Sequence, residues 1–245
     1  MTDDARAARV ALERLLEADA PALRAELPPG FADAAESYVR LLLTTNAHLN
    51  LTRVVEPDAV ARLHLLDALA AMPLIGSPVA RALDLGSGGG VPGIVLAIAR
   101  SDIHWTLVDS VRKKTDALRG FASSLGLENV EVRGERAEVL GRGPARESFD
   151  LVTARACAAL PVLVEYALPL LRVGGKLLAW KGPITVDELA AGASASNLLG
   201  GGMPEERPTG LAPLGDHRFV VVTKSHATPA RYPRRPGEPT RRPLA

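Results

Sequence analysis

The 245-residue chain is poor in the residues that build disulfides and metal centres. Cys157 is the single cysteine, so the sequence permits neither an intrachain disulfide nor a cysteine-based metal cluster. We expect it to be a small buried apolar residue rather than a reactive thiol. None of the five histidines forms a pair with metal-ligand spacing such as HExxH. We therefore expect a protein without a metal.

Long apolar runs are missing as well. No run reaches the roughly 20 residues that cross a bilayer, and the N-terminal MTDDARAARV is acidic and lacks the apolar core of a signal peptide. We expect a cytoplasmic protein with no membrane partner. We also expect a monomer, because the sequence has no heptad seam. With 47% hydrophobic residues, the chain is long enough to bury a substantial core.

Lysine is scarce, since 24 of the 29 basic residues are arginine. Lys181 and Lys224 therefore stand out as positions that select a compact ammonium. The net charge is only +1, yet residues 224–245 carry six bases against one acid. A basic, proline-rich tail suits a polyanion, although a solvated basic terminus explains the same composition.

The spacing of apolar residues changes at residue 80. Before it, a spacing of three and four predicts helices; after it, short apolar runs alternate with helical segments. This alternation predicts a doubly wound α/β domain over residues 79–245, with a helical region over 1–78 packed on it. Residues 186–210 predict a weak helix and then a flexible loop. The tail after residue 224 has too many prolines for a helix or a central strand.

The stretch ALDLGSGGGVPGIVLAIA follows the first predicted strand and opens a helix. From Gly88 it contains G-x-G-x-x-G, with Gly90 and Gly93, which is the fingerprint of dinucleotide binding. From Asp84 it contains D-x-G-x-G-x-G, with Gly86, Gly88 and Gly90, which is a pattern of S-adenosylmethionine (AdoMet) methyltransferases. The glycines alone do not choose between the two cofactors.

Charge distinguishes the two cofactors. A pyrophosphate avoids a carboxylate at the end of the first strand, whereas the ammonium and sulfonium of AdoMet are attracted by Asp84. Asp109, at the end of the second strand, can accept from ribose hydroxyls in either case. Asp84 also fits a strand-end cap of the next turn. The residues favour AdoMet and leave a dinucleotide oxidoreductase open.

Several motifs occur together in this order: NAHLNLTRV, HLLDAL, LDLGSGGGVPGIVLAIA, LVDSVRKKTDALR, FDLVTARACAAL, LLAWKG and KSHATPARYPRRPGEPTRRPL. From Tyr38 to Leu244 the chain closely resembles the bacterial 16S rRNA guanine-N7 methyltransferases, the RsmG or glucose-inhibited division protein B (GidB) family. The resemblance implies a Rossmann-like class I AdoMet-dependent fold, with a mostly parallel seven-stranded sheet and an N-terminal helical extension. It also implies methylation of N7 of a guanine in the decoding-region loop of 16S rRNA, with the rRNA or the small ribosomal subunit as partner.

The resemblance further implies which residues bind AdoMet. One group is expected at the methionine and sulfonium end: Asp84, Gly86, Gly88 and Val91. A second group is expected to hold the ribose and flank the adenine: Asp109, Ser110, Val111, Ala137 and Glu138. Arg155 is expected to reach the cofactor or the incoming base.

Guanine N7 carries an in-plane lone pair and no proton, so its methylation needs no general base and depends on positioning. Arg155 is the expected positioning residue, and an arginine beside the base must hold O6 or phosphate so that N7 stays free. An ion pair with a neighbouring acid is the plainer interpretation of Arg155. Tyr232 is expected to stack on a base. The residues expected to contact RNA are Arg53, Lys181, Lys224, Arg231, Tyr232, Arg234 and Arg235.

His64 and Asp67 lie three residues apart on the helix before the sheet and so share one face. We expect the histidine to be satisfied by its neighbour, and the pair to serve as scaffold rather than in proton chemistry.

Two further functions are compatible with these residues. A small-molecule methyltransferase would not need the basic tail. A non-catalytic RNA-binding or ribosome-binding protein that retains the fold would not bind AdoMet. Binding of AdoMet and dependence on the tail therefore discriminate the three functions.

Overall fold

Seven strands form one sheet at the centre of the structure. The computed structural model describes residues 2–76 and 78–244, so Met1, Ser77 and Ala245, which fall inside the two predicted domain ranges, lie outside the described residues. The strands are β1 (Arg81–Leu85), β2 (His104–Val108), β3 (Val130–Arg133), β4 (Phe149–Arg155), β5 (Leu171–Lys181), β6 (Glu205–Pro208) and β7 (Arg218–Thr223).

The strand order is β3-β2-β1-β4-β5-β7-β6. Strands β1 to β5 pair with one another in parallel, whereas β7 is antiparallel to both β5 and β6. The predicted mostly parallel seven-stranded α/β fold is confirmed. Because the order reverses at β1, the carboxyl ends of β1, β2 and β4 border the crevice where such sheets bind ligands.

Strand β6 lies in the stretch for which the sequence predicts a weak helix and a flexible loop. The helix is confirmed, but the loop prediction is wrong for Glu205–Pro208. All four residues of β6 are exposed, and the strand pairs with β7 through its backbone. An edge strand without buried side chains shows no apolar alternation, so nothing in its sequence marks it as a strand.

Helices fill the chain before β1 and connect most of the strands after it. The first set comprises α1 (Thr2–Asp19), α2 (Pro21–Glu26), α3 (Phe31–Leu49), α4 (Pro57–Val60), a π-helical segment (Ala61–Leu66), α5 (Asp67–Leu69) and α6 (Met72–Ile75). The second set comprises α7 (Gly93–Ala99), α8 (Arg112–Ser124), α9 (Ala137–Leu140), α10 (Leu160–Ala167), α11 (Val186–Leu198), a 3-10 turn (Ala212–Leu214) and α12 (Glu238–Arg241). In the described ranges, no helix is long and apolar enough to cross a membrane.

Apolar side chains cover both faces of the sheet. Alternate strand residues point to opposite faces, so Ala82 and Trp105 join one cluster while Leu83 and Val108 join the other. The first cluster includes residues of α1, α2, α3 and α7, and the second includes residues of α10 and α11. The N-terminal helices thus share a core with the sheet. The division into 1–78 and 79–245 stays a prediction.

The C-terminal tail packs on the sheet domain instead of extending into solvent. Lys224 is buried, and its ammonium donates to Glu147 Oε1 at 2.8 Å and to the carbonyls of Leu168 and Leu171 at 2.8 and 2.7 Å. The prediction that Lys224 contacts RNA is therefore wrong, because its ammonium is fully used inside the protein.

Two more predicted RNA contacts are corrected in the same way. Arg234 forms a bidentate ion pair with the fully buried carboxylate of Glu165, with Nη2 2.6 Å from Oε2 and Nε 2.9 Å from Oε1. Tyr232 is buried in the second apolar cluster, so its ring is not available to stack on a base. Arg231 and Arg235 are exposed.

Arginines before β4 fix the backbone of the tail. Arg146 donates to the carbonyls of Thr228 at 2.5 Å and Tyr232 at 2.7 Å, and Arg142 donates to the carbonyl of Pro233 at 2.7 Å. The tail also contains α12, so the expectation that its prolines exclude a helix is wrong there. Proline is tolerated in the first helical turn, where its missing N–H costs nothing.

Arg234→Ala is expected to lower the free energy of unfolding by about 3 kcal/mol, because it leaves the carboxylate of Glu165 buried without its partner. The neighbouring Arg235→Ala removes the same group from an exposed position, and its effect should stay below about 0.5 kcal/mol. Urea unfolding of both variants measures the difference. Equal losses would contradict the buried ion pair as the reason for the tail's position.

Candidate active site

The glycine-rich loop connects β1 to α7 at the carboxyl edge of the sheet. The backbone N–H groups of Gly86 and Ser87 donate to the carbonyl of Val108, at 2.8 and 3.0 Å, which attaches the loop to the end of β2. Gly86 and Gly88 have φ angles of +69° and +56°. Residues with a Cβ rarely adopt this conformation, so glycine is needed at both positions.

An N-terminal helix supports the same loop. The buried hydroxyl of Tyr38, in α3, donates to the carbonyl of Gly89 at 2.8 Å. A Cβ on Gly89 would lie 2.9 Å from Leu42 Cδ1 and 3.3 Å from Leu51 Cβ. The loop is therefore packed tightly on the side of α3, and its other side is free to face a ligand. Sequence reasoning missed Tyr38, although its place on the apolar stripe of α3 marks it as a core residue.

Asp84 lies beneath the loop with no exposed surface. Its Oδ1 accepts from Thr153 Oγ1 at 2.7 Å, and a Cβ on Gly93 would come within 2.7 Å of its Oδ2. Burial raises the pKa of its carboxyl to about 6, because the charged form is desolvated. A carboxylate with no exposed surface does not touch a ligand in this conformation, so the expectation of a direct cofactor contact is corrected.

Asp109 closes the loop from the side. Its Oδ2 accepts from the N–H of Gly88 at 3.0 Å, and its Oδ1 accepts from the N–H of Val111 at 2.9 Å. Ser110 and Val111 lead into α8 and are exposed. A Cβ built on Gly88 would meet only the carbonyl of Gly86, at 3.7 Å, so the space beside this glycine is open. The loop and this carboxylate together form the cradle, which we define as Gly86, Gly88 and Asp109.

Two predicted adenine neighbours follow β3. Ala137 begins α9 and is partly exposed, whereas Glu138 is buried and its Oε1 accepts from the N–H of Gly237 at 2.8 Å. One carboxylate oxygen of Glu138 is thus committed to the tail, which the sequence did not indicate. Val91, expected at the sulfonium end, is partly exposed where the loop enters α7.

Cys157 lies against the cradle. A Cβ on Gly86 would come 3.2 Å from its sulfur. The residue has an exposed edge, so the expectation of a buried cysteine is wrong. The surrounding walls nevertheless desolvate the thiol, and with the carboxylates of Asp84 and Asp109 they raise its pKa to about 11. A thiol in this state is a weak nucleophile at neutral pH.

A cleft of about 910 Å³ opens beside the loop, at the carboxyl ends of β4 and β5. Its polar lining includes Arg53, His64, Asp67, Arg155, Lys181 and His217. The Lys181 ammonium donates to Glu188 Oε1 at 2.7 Å and to the carbonyl of Ala158 at 3.1 Å, and Arg53 is exposed at the cleft. Cys157 lines both this cleft and the glycine loop, so the cradle and the cleft are adjacent.

Arg155 connects the end of β4 to the helical run before β1. Its Nη1 donates to the carbonyl of Leu63 at 2.6 Å and to Asp67 Oδ2 at 3.1 Å. Its Nη2 lies 3.3 Å from His64 Nδ1. The plainer interpretation, an ion pair with an acid, describes these contacts. A contact from Arg155 to a cofactor or base stays a prediction.

His64 is held between Arg155 and Thr52. His64 Nδ1 lies 3.3 Å from Arg155 Nη2, which only donates, and 3.2 Å from the carbonyl oxygen of Leu63, which only accepts, while Nε2 lies 2.9 Å from Thr52 Oγ1. Burial and then the charge of Arg155 lower the pKa of His64 to about 4. His64 is therefore neutral at pH 7, with both nitrogens occupied. The expected direct bond to Asp67 does not form, because the guanidinium lies between them.

Asp67 and His217 are the cleft residues whose contact the sequence did not indicate. His217 Nδ1 lies 2.9 Å from Asp67 Oδ1, and the two residues are 150 positions apart. One signal was present: a strand that returns antiparallel beside β5 begins at the carboxyl edge, so the residue before β7 had to lie there. In the described ranges, no group of three or more His, Cys, Asp or Glu side chains is arranged to hold a metal ion.

The His64→Gln variant is expected to flatten the acid limb of the stability profile. The folded-state pKa is lowered, so stability is lost as pH falls from 6.5 through 4, and this loss amounts to about 3 kcal/mol. Between pH 7 and pH 4 the wild type should lose that much more unfolding free energy than the variant, as measured by urea unfolding. His104→Gln, at an exposed strand start, is the control; a variant profile parallel to the wild type would contradict a buried neutral His64.

Comparison with known proteins identifies the family. Residues 32–203 match the GidB family, described as rRNA small subunit methyltransferase G. A relative from Moorella thermoacetica with the name ribosomal RNA small subunit methyltransferase G is 40% identical over 235 residues, which cover 95% of this chain and 98% of that protein. A protein of the same name from Deinococcus radiodurans is 45% identical over 217 residues, which cover 85% of each chain.

Solved structures agree on the fold. The apo S-adenosylmethionine-dependent methyltransferase SibL superposes with a TM-score of 0.55 over 88% of this chain and 73% of its own, at 18% identity. At that identity the similarity shows the class I methyltransferase fold alone. The family match spans more than half of the chain and includes the glycine loop, α8 and the strands that form the cleft. The chain therefore belongs to the GidB family, the rRNA small subunit methyltransferases G.

Proposed function

We propose that this chain, an AdoMet-dependent methyltransferase of 16S rRNA by its family, transfers the methyl group to N7 of a guanine in the decoding-region loop. The observation that carries the proposal is the adjacency of the cradle and the cleft: an open glycine turn with a carboxylate, next to a pocket large enough for a base. We propose that it acts on the small subunit as a monomer in the cytoplasm.

The cradle fits AdoMet better than a dinucleotide. The open side of Gly88 and the exposed Gly86 leave room for a ligand close to the backbone. The Asp109 carboxylate can accept from ribose hydroxyls, and with Asp84 below it gives this region a negative field. Such a field attracts the ammonium and sulfonium of AdoMet and repels a pyrophosphate. Gly86 and Val91 would then contact the methionine end.

The adenine end of the cofactor would lie toward α8 and α9. Ser110 and Val111 are exposed where α8 begins, and Ala137 is partly exposed where α9 begins. Glu138 can contribute its second carboxylate oxygen, since Oε1 already accepts from Gly237. Bound AdoMet supplies an electrophilic methyl group, and these residues would fix its orientation.

The cleft is suited to positioning rather than to proton transfer. Guanine N7 attacks through a lone pair, so no proton leaves the base during the reaction. His64 is neutral with both nitrogens engaged, and Cys157 keeps its proton. Neither side chain is therefore available as a base at pH 7. Alignment of the reacting atoms at about 3 Å accounts for the expected rate enhancement.

The cations of the cleft can orient the base without blocking N7. Arg155, Lys181 and Arg53 donate hydrogen bonds and cannot accept them, so they suit guanine O6 and phosphate oxygens. Arg155 and Lys181 are already bound to carboxylates, which fixes their direction. The methylated base gains positive charge, and the carboxylate of Asp67 close by lowers the energy of that charge.

The test is methyl transfer followed by mapping of the product. Small subunits isolated from cells that lack this enzyme are incubated with the protein and tritiated AdoMet, and the RNA is then cleaved with borohydride and aniline, which act at N7-methylguanosine. We expect label in 16S rRNA and one cleavage site in the decoding-region loop. Label without cleavage would mean another atom is methylated, and no label in any rRNA would reject the proposal.

Asp109→Asn provides the matched cofactor variant for that assay. It removes the negative charge and part of the acceptor capacity facing the ribose, so the Kd for AdoMet should rise at least tenfold, about 1.4 kcal/mol. Asp116→Asn makes the same change on the exposed side of α8, and calorimetry should show no change in its Kd. A dinucleotide enzyme would instead bind NAD and ignore AdoMet.

The exposed tail arginines are expected to contact the RNA backbone. Deleting the tail is not informative, because Lys224 and Arg234 are structural. Replacing four exposed arginines by glutamine avoids this: Arg231, Arg235, Arg241 and Arg242. The Kd for AdoMet should stay constant while the KM for subunits rises, and the salt slope of binding should fall by roughly 0.7 per lost phosphate contact. Unchanged turnover on subunits would favour a small-molecule substrate.

A further inference from the structure

His217 is the residue before β7, at the carboxyl edge of the sheet. Strand β7 runs antiparallel to β5, and its first residue, Arg218, pairs with Lys181 at the end of β5. The His217 side chain is 40% exposed and lines the cleft. It is therefore the side chain that the returning strand contributes to the cleft, and a ligand there can reach it.

The orientation of the His217 ring is fixed by Asp67. The Asp67 carboxylate is buried, accepts from Arg155 through Oδ2 and faces His217 Nδ1 through Oδ1 at 2.9 Å. The backbone of Asp67 is fixed too, because its carbonyl accepts from the indole N–H of Trp180 at 2.9 Å. A carboxylate only accepts hydrogen bonds, so Nδ1 carries the hydrogen, and the uncharged tautomer with that hydrogen has its lone pair on Nε2.

We propose that His217 recognises the target base by accepting a hydrogen bond at Nε2 from N1–H of guanine. This inference rests on the proposed function. Guanine carries donors at N1 and N2, on the edge opposite N7, so a contact there leaves the methylated atom free. Adenine has an acceptor at N1, and two lone pairs would then face each other. His217 thus discriminates guanine from adenine while other groups hold O6 or phosphate.

The cations and the second histidine of the cleft differ from His217 in the hydrogen bonds that they can form. Arg53, Arg155 and Lys181 can only donate, so they cannot read N1–H. His64 uses both ring nitrogens on Arg155 and Thr52. Of the two histidines that line the cleft, His217 is the one whose Nε2 has no hydrogen-bond partner among the described residues. A pocket discriminates most strongly against an analogue when binding that analogue would leave the pocket's own polar groups without hydrogen-bond partners.

The experiment compares guanine with adenine at the target position. Small subunits are reconstituted with 16S rRNA transcripts that carry either base at the guanine mapped above, and kcat/KM for methyl transfer is measured on both. For His217→Ala, we expect kcat/KM on guanine to fall about tenfold, the cost of one hydrogen bond to the base, and the guanine-to-adenine ratio to fall by at least the same factor. The Kd for AdoMet should not change.

Two control variants separate the outcomes. His104→Ala removes an exposed histidine at the start of β2, the opposite edge of the sheet, and should match the wild type. His217→Gln keeps a side-chain acceptor and should recover part of the guanine-to-adenine ratio of kcat/KM. If the alanine variant folds poorly, the glutamine variant is measured in its place. An unchanged ratio, or equal losses on both bases, would overturn the role of His217. Failure of the wild type to methylate N7 would reject the proposed function instead.

Discussion

The glycine loop has to stay open on one side and rigid on the other, and much of the structure serves that requirement. One side is open because Gly86 and Gly88 carry no side chain and adopt left-handed backbone conformations. The opposite side is packed against α3, where Tyr38 binds the Gly89 carbonyl, and the buried Asp84 lies at the end of β1, where the loop begins. The N-terminal helices therefore support the glycine loop as much as the sheet does.

Arg155 organises the cleft, as the glycine loop organises the other part of the site. It joins β4 to the π-helical segment through Leu63 and to α5 through Asp67. A π-helical turn displaces the side chains that follow it, and such turns are frequent at functional sites. Asp67 then orients His217 from the other end of the chain. One buried carboxylate thus orients both a guanidinium and an imidazole that line the cleft.

Features that depend on residues close together in the sequence were predicted correctly in most places. Contacts between residues far apart in the sequence were not predicted. Strands, helices and the glycine loop follow local periodicity and turn chemistry, and these predictions are confirmed apart from β6 and α12. The prediction that the basic tail residues contact RNA was wrong for Lys224 and Arg234, because composition shows how many charges a segment has but not which acids they pair with. Lys224 pairs with Glu147, 77 positions away, and Arg234 pairs with Glu165, 69 positions away. The contact between Asp67 and His217 was not predicted either, because these two residues are also far apart in the sequence.

The buried half of the tail fixes the position of its exposed half, the part that we propose contacts RNA. The Arg234 ion pair and the carbonyl contacts of Arg146 hold the chain from residue 228 to 234 in one conformation. The guanidinium of Arg231 lies 5.2 Å from the centre of the Tyr232 ring, so this aromatic residue supports an arginine and does not stack on a base. A fixed arginine loses less conformational entropy on binding phosphate than one on a disordered arm. Basic residues inside the protein thus fix the position of those on its surface, which we propose contact the RNA.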